Sequence, residues 1–248
     1  MRIAVAGGTG LVGGHVVAMA RERRHDVVVV SRATGVDLTT GAGLGAALDG
    51  ADAVVDVTSV TTLATRPAVT FFETTTRTLL SAEREAGVTR HIALSIVGID
   101  GAAEGYYAGK LAHERLVEAA APGWTILRAT QFHEFAAQMY DRARIGPLHL
   151  APRMRTQPVA AREVATRLLE TVERGETGRV RDLAGPHEES LVDMVRGYAR
   201  ARGSRAWIPA ISLPGAAGRA QRDGSALPGP DAQLGRQTFA EWLTAVRP

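Results

Sequence analysis

The stretch Ile3-Ala4-Val5-Ala6-Gly7-Gly8-Thr9-Gly10-Leu11-Val12-Gly13 runs a β-prone apolar segment into a glycine turn and then into an amphipathic segment. The glycines fall at Gly7-x-x-Gly10-x-x-Gly13, directly after a strand and directly before a helix. Residues without a Cβ let the backbone approach a bound pyrophosphate. The free N–H groups and positive end of the following helix hold its charge, and the third glycine lets that helix lie close to the sheet. The turn formed by Gly7, Thr9, Gly10, Leu11, Val12 and Gly13 is therefore read as a dinucleotide cradle. The helix after it is expected to run to about Arg24, with Leu11, His15, Val16 and Met19 on one face.

Outward from this turn the pattern alternates. Asp26–Ser31 carries the β-branched run Val27-Val28-Val29-Val30, which predicts a strand buried on both faces. Ala53–Val57 predicts the next strand. A long helix is expected over Ala68–Ala86, closed by Gly87. There follow a strand at His91–Ser95, a loop with Gly98 and Gly101, a helix from Tyr106 to Ala120 broken by Pro122-Gly123, and a strand from Trp124 to Arg128. Strands alternating with helices of this length predict an α/β fold, a Rossmann-type doubly wound parallel sheet. Beyond Thr130 the alternation loosens. Helical patterns recur at Phe132–Arg144, Ala161–Arg174, Ser190–Arg202 and Thr238–Val246, and Pro209–Pro230 reads as irregular. The expectation is one NAD(P)-binding domain over residues 1–248, with a Rossmann core at 1–130 and a small, mostly helical substrate lobe at 131–248.

The end of the second strand selects the cofactor. An acidic residue there binds the ribose hydroxyls of NAD. This chain has Ser31-Arg32, a hydroxyl and a guanidinium that suit a 2′-phosphate. NADP(H) is expected over NAD(H). Asp37 is the rival: folded back onto the ribose it would suit NAD, but it is expected near the adenine or as a turn cap.

Lys110 is the one lysine in the chain, against 28 arginines. Lys and Arg are interchangeable as surface charges but not where a compact ammonium is needed. Lys110 lies four residues after Tyr106, one helical turn away. An ammonium beside a phenol favours the phenolate, so Tyr106 is expected to be an acid/base with a lowered pKa. Ser95, at the end of a strand, is placed to orient the same substrate oxygen.

Composition narrows the alternatives. Hydrophobic residues make up 45% of the chain, charged residues 22%, and cysteine is absent. That is globular composition without disulfides or thiolate metal sites. The formal charge is only +3, and arginines are interleaved with acids as in Arg21-Glu22-Arg23-Arg24, so no nucleic-acid partner is expected. No apolar run has the length of a membrane span, and the first apolar run is too short for a signal peptide. The expected setting is cytoplasmic, without membrane association. No metal is expected, because no His-Glu-x-x-His type spacing occurs.

These residues together resemble the short-chain dehydrogenase/reductase superfamily, in its atypical NmrA-like branch. The resemblance is carried by Ile3–Gly13, by Ala86–Gly98, by Tyr106-x-x-x-Lys110 and by Trp124–Arg128. It continues through Asp182-Leu183-Ala184-Gly185-Pro186. It implies that Ser95, Tyr106 and Lys110 form a catalytic triad and that Lys110 also holds the nicotinamide ribose. It further implies that Thr58 and Ser59, after the fourth strand, lie along the cofactor. Many relatives place an Asn in the long helix for a proton relay, and here Phe72 stands near that position. On the substrate side, Phe132, Phe135 and Met139 would form an apolar wall, with His133 and Tyr107 nearby. At helical spacing Phe132, Phe135 and Met139 equally fit a core. The function expected is an NADPH-dependent reductase, or its reverse, acting on a small apolar carbonyl or alcohol. Two other readings share the scaffold: an NADP(H)-binding redox sensor without turnover, and a non-redox isomerase or cyclase.

Overall fold

The computed structural model describes residues 1–101, 104–120, 123–146 and 148–246. The first half of the chain runs β1 (Arg2–Ala6), α1 (Leu11–Glu22), β2 (Asp26–Val30), α2 (Leu44–Leu48), β3 (Ala53–Asp56), α3 (Thr65–Ala86), β4 (His91–Ile96), α4 (Gly105–Ala120) and β5 (Trp124–Ala129). The second half runs α5 (Phe135–Arg142), β6 (Arg144–Ile145), β7 (Leu148–His149), β8 (Ala151–Pro152), β9 (Arg155–Thr156), α6 (Ala161–Arg174), β10 (Gly178–Arg179), β11 (Leu183–Ala184) and β12 (Glu189–Ser190). It ends with α7 (Leu191–Ala201), β13 (Ala210–Ile211), α8 (Gly215–Asp223), β14 (Gln233–Leu234) and α9 (Phe239–Thr244). The break expected at Pro122 lies outside the described residues.

The chain divides into two compact units. One holds Met1–Arg128 and Arg162–Val180, the other Ala129–Ala161 and Arg181–Pro248. The division differs from the expected boundary at 130 because the chain returns. Glu173 of α6 meets Arg23 at 2.6 Å and His25 at 2.9 Å, and Arg90 donates to the Val172 carbonyl at 3.1 Å. These contacts keep α6 with the first unit.

In the first unit the strands lie in the order β2-β1-β3-β4-β5, with β10 beside β5. Registers are parallel, as in Ile3↔Val27, Ile3↔Ala53 and Val54↔His91. This is the mostly parallel, Rossmann-like sheet that the alternation predicts. The chain leaves β1 toward β2 on one side and returns to β3 on the other. The loops after β1 and β3 therefore diverge and open a crevice above the strand ends, where such sheets take ligands.

Three local expectations change. The buried face of α1 is Val12, Gly13, Val16, Val17 and Ala20, while Leu11 is 40% exposed; the apolar stripe is rotated by one residue because the glycine turn presses Gly13 inward. β2 is an edge strand, and of Val27–Val30 only Val30 is fully buried. Between β2 and β3 the described residues form turns and α2 rather than a strand, so Thr58 and Ser59 follow the third strand, not the fourth. By contrast α3 ends where expected, with Gly87 at φ +72° accepting the left-handed cap. It starts one turn earlier, and Pro67 is tolerated in that first turn.

An ionic cluster ties α4 to β5. Arg128 donates to both carboxylate oxygens of Glu114, at 2.8 and 2.6 Å, and to Asp100 at 2.9 Å. Arg179 adds a 2.8 Å contact to Glu114. Glu114 is 1% exposed. Burial alone would raise its carboxyl, but the arginines hold it below the usual range.

In the second unit α5, α7 and α9 enclose an apolar core that includes Met194, Val195, Ile208 and Phe239. Short strands pair as β6 with β7, β8 with β13 and β9 with β12. Leu183 lies beside Ala129, the last residue of β5, and β14 lies beside β11. Pro209–Pro230 is not wholly irregular, since it contains β13 and α8. Gly218 lets α8 sit directly on the Leu213 carbonyl, where a Cβ would come within 2.0 Å. Glycines chosen for close approach hide a helix from propensity. No helix among the described residues is long and apolar enough to cross a membrane.

Removing one partner of a buried ion pair leaves the other charge uncompensated, which costs about 3–5 kcal/mol. Arg128→Met leaves Glu114 with Arg179 alone and is expected to lower unfolding free energy by up to about 3 kcal/mol, read from urea denaturation. An unchanged midpoint would show that Glu114 does not depend on Arg128.

Candidate active site

The cradle is built by steric exclusion. Gly7 has φ +80°, and a Cβ there would stand 2.9 Å from the Val57 carbonyl oxygen. A Cβ on Gly13 would stand 2.2 Å from the Gly7 oxygen. The turn thus packs against the end of β3 on one side and against its own helix on the other. Gly8, outside the spacing read from the sequence, is equally constrained: its Cβ would meet the Val5 oxygen at 2.9 Å. The N-cap of α1 is Gly10, with no side-chain cap and no acidic residue in the first turn. Helix N–H donors left without a side-chain acceptor, beside a turn that excludes Cβ atoms, fit a pyrophosphate. Thr9 and Leu11 are exposed on this turn, and Val12 is buried beneath it.

At the end of β2, Ser31 begins a single 3-10 turn, Arg32–Thr34, closed by a capping box with Thr34. Thr34, which the sequence did not single out, also donates to the Val29 carbonyl at 2.8 Å. Arg32 is exposed at the start of this turn. Asp37 accepts from the Thr39 amide at 2.8 Å and hydroxyl at 2.7 Å. These bonds hold its carboxyl below the usual value. Asp37 therefore caps a turn, one of the places the sequence allowed it.

Tyr106 lies in the first turn of α4, with its hydroxyl 2.9 Å from Ser59 Oγ. Ser59 is three residues beyond β3, on the loop whose Val57 flanks Gly7. The phenol is thus tied to the wall of the crevice. Burial pushes its pKa above the ordinary phenol value, Ser59 opposes this, and the Asp56 charge adds to the rise. The expected lowering by Lys110 does not occur. Lys110 is 3% exposed, and its Nζ bonds to His113 Nδ1 at 3.0 Å. Phe72 lies against both residues, its ring edge-on to Tyr106 with centroids 5.5 Å apart and 4.7 Å from Lys110 Nζ. Phe72, the residue expected near the relay position, thus fills the space between the phenol and the ammonium with an aromatic ring.

Ser95 does not join Tyr106 either. It is 2% exposed within β4, and its hydroxyl lies toward Glu114, whose carboxyl it helps to lower, without a well-directed hydrogen bond. β4 lies inside the sheet, and His91–Ser95 are all buried along it while Ile96 is half-buried. Ser59 is the serine that the structure hydrogen-bonds to Tyr106.

Beneath the crevice lies a buried polar chain that sequence spacing did not reveal. His91 Nδ1 meets Glu83 at 2.8 and 3.1 Å. His113 Nε2 lies 3.2 Å from Asp56 Oδ2, and Asp56 Oδ1 accepts from the Thr58 amide at 2.8 Å. Burial would raise the Asp56 carboxyl, but His113, His91 and Lys110 outweigh it and hold it well below the carboxylate range. Burial would lower His91, yet the Glu83 carboxylate raises it. Burial and Lys110 push His113 down to about 4, and burial pushes Lys110 down to about 8.

The substrate-side expectations fare unevenly. His133 is fully buried in the second unit, with Nε2 at 3.0 Å from the Gln237 carbonyl and its ring against Phe239 and Trp242. Its packing makes it a core residue, so the substrate role read from the sequence is corrected. Phe135 and Met139 pack against the core of that unit. Phe132 is half-buried and bridges Val159 through its backbone, and Tyr107 is half-buried on α4.

The family model described as NAD(P)H-binding matches residues 7–174. The chain belongs to this NAD(P)H-binding family. A sequence search among curated proteins finds no match. Among solved structures, the fold is shared with MoeE5 in complex with UDP-glucose and NAD, at TM-score 0.76 and 20% identity over 99% of this chain and 97% of that one. It is shared with an NADPH-dependent quinone oxidoreductase from Escherichia coli in complex with NADPH, at TM-score 0.73 and 17% identity over 98% of each chain. A short-chain dehydrogenase/reductase superfamily protein from Agrobacterium tumefaciens with bound NAD matches at TM-score 0.68 and 20% identity, over 99% and 96% of the chains. The NAD(P)H-binding chain thus has the fold of the short-chain dehydrogenase/reductase class. Its neighbours hold either nucleotide.

A methyl group at Gly13 overlaps the Gly7 carbonyl and must displace the turn. Gly13→Ala is expected to weaken nucleotide binding at least tenfold, or about 1.4 kcal/mol, as read by calorimetry. Unaltered affinity would mean that the turn is not the cradle.

Proposed function

We propose that this chain is an NADPH-dependent oxidoreductase that reduces a small, apolar carbonyl, or oxidises the matching alcohol, with Tyr106 as proton donor or acceptor. The observation that supports this most is the Tyr106–Ser59 hydrogen bond of 2.9 Å, which sets a phenol on the crevice wall beside the glycine cradle. Gly7, Thr9, Gly10, Leu11, Val12 and Gly13 would hold the pyrophosphate. Ser31 and Arg32 would meet the 2′-phosphate, and Thr58 and Ser59 would line the nicotinamide side. The bound cofactor supplies hydride to the carbonyl carbon. Tyr106 gives its proton to the carbonyl oxygen, so C=O becomes CH–OH. A phenol raised above its ordinary pKa is protonated at neutral pH, as a donor must be. Ser59 takes the orienting part first read for Ser95, and its hydroxyl steadies the phenolate left after transfer. Tyr107, half-buried on α4, is proposed to face substrate.

A second reading has its own observation. Lys110 is engaged with His113 rather than with Tyr106, which favours an NADP(H)-binding sensor that does not turn the cofactor over. The two readings part on one variant. With NADPH and a panel of small ketones, aldehydes and quinones, Tyr106→Phe is expected to lose about 10²–10⁴ in turnover while keeping its NADPH affinity. Absence of NADPH oxidation by the wild type across the panel would favour the sensor.

The cofactor preference is tested separately. Arg32→Ala is expected to weaken NADPH binding about tenfold or more, in line with loss of a charge-assisted contact, and to leave NADH affinity unchanged. Equal loss for both nucleotides would remove Arg32 from the 2′-phosphate.

A further inference from the structure

We propose that Asp56, His91 and His113 form a buried site for one divalent transition-metal ion of the Zn2+ type. One nitrogen from each imidazole and one carboxylate oxygen lie within 4.8 Å of one another, and all three residues are buried. They come from β3, β4 and α4. This inference rests on the geometry of the first unit and does not depend on the proposed turnover.

The orientation of each donor supports ligation. His91 turns Nδ1 to Glu83, leaving Nε2 buried without a hydrogen-bond partner. His113 turns Nδ1 to Lys110, and its buried Nε2 lies near Asp56 Oδ2 without a well-directed hydrogen bond. Asp56 commits Oδ1 to the Thr58 amide, which leaves Oδ2 to ligate. Each donor therefore has an outer partner that fixes its orientation, the arrangement that metal sites use to hold ligands in place. The carboxylate-on-imidazole pair Glu83–His91 is one established form of that support.

Electrostatics points the same way. Glu83 and Asp56 are two carboxylates buried around one imidazole, 5% and 1% exposed, and buried charge must be compensated. A divalent ion among the three donors supplies such compensation, and two imidazoles with one carboxylate suit Zn2+ or Co2+ by donor type. The expectation of no metal from sequence spacing had no access to this grouping, because its members are far apart in the chain.

The test uses the full chain without nucleotide, titrated with Zn2+ against a chromophoric chelator and, separately, with Co2+. One Zn2+ per chain is expected, with a visible Co2+ band of tetrahedral type and X-ray absorption showing two imidazole ligands. His91→Gln and His113→Gln are each expected to weaken Zn2+ binding about 100-fold or more. Glu83→Met, which removes only the outer support, is expected to cost about 10–100-fold. His187→Gln, outside the cluster, should leave binding unchanged. Circular dichroism and urea midpoints check that each variant folds, and the wild-type Co2+ and absorption spectra stand even where a variant does not. A wild type without the Co2+ band, or histidine variants that retain it, would overturn the site and leave the group a metal-free hydrogen-bonded network.

Discussion

The close crossing of α3 and α4 at Gly109 is the constraint on which the site depends. A Cβ at Gly109 would lie 2.6 Å from Phe72 and 2.9 Å from the Ala68 backbone, so only a bare Cα allows this separation. The residues flanking Gly109 inherit their places from it. Tyr106 is brought to Ser59 at the crevice, and Lys110 and His113 are driven into the interior against Phe72. The ring of Phe72 stacks on His113 with centroids 5.7 Å apart and planes within 11°. One glycine thus positions both the phenol and the buried polar chain.

The second constraint is the topology around β1. Because β2 and β3 flank it on opposite sides, the glycine turn and the Val57–Ser59 loop meet at the carboxyl ends of the strands, with Gly7 against the Val57 carbonyl at the foot of the crevice. Asp56 closes β3 just below it. One of its oxygens receives the Thr58 amide and so shapes the loop. The other lies near His113. A single carboxylate therefore belongs both to the wall of the nucleotide crevice and to the buried cluster.

Much of this was legible in the sequence. Strand, turn and helix at Arg2–Glu22 followed from the glycines, and α6 follows its apolar period from Ala161 to Arg174. What was not legible has physical reasons. A β-branched run reads the same on an edge strand as in the centre of a sheet, so Val27–Val30 did not disclose its edge position. Ser95 has the type and strand position expected of a catalytic serine, but which face a strand residue presents depends on where the strand sits in the layers. The rarity of lysine drew attention to Lys110, which the fold buries. On a helix, however, residues three after and four before are equally near, and the sequence does not choose between His113 and Tyr106. Packing chose, through Phe72. His91 and Asp56 come from separate strands, and only the register Val54↔His91 brings their strands together.

The place of Phe72 divides the chemistry of the site. Between the phenol and the lysine, an aromatic ring meets Tyr106 on its edge and Lys110 and His113 on its face. A ring carries no exchangeable proton, so protons do not pass through it from one side to the other. Proton exchange at Tyr106 must then run through its only hydrogen-bond partner among the described residues, Ser59, toward the open crevice. The buried chain from Lys110 to Glu83 is correspondingly insulated from that exchange. Its charge still reaches the phenol through the protein, as the effect of Asp56 on Tyr106 shows. Whatever sits in the buried cluster, a proton or an ion, therefore acts on the crevice by electrostatics and by holding the Asp56 loop, rather than by transferring protons to it.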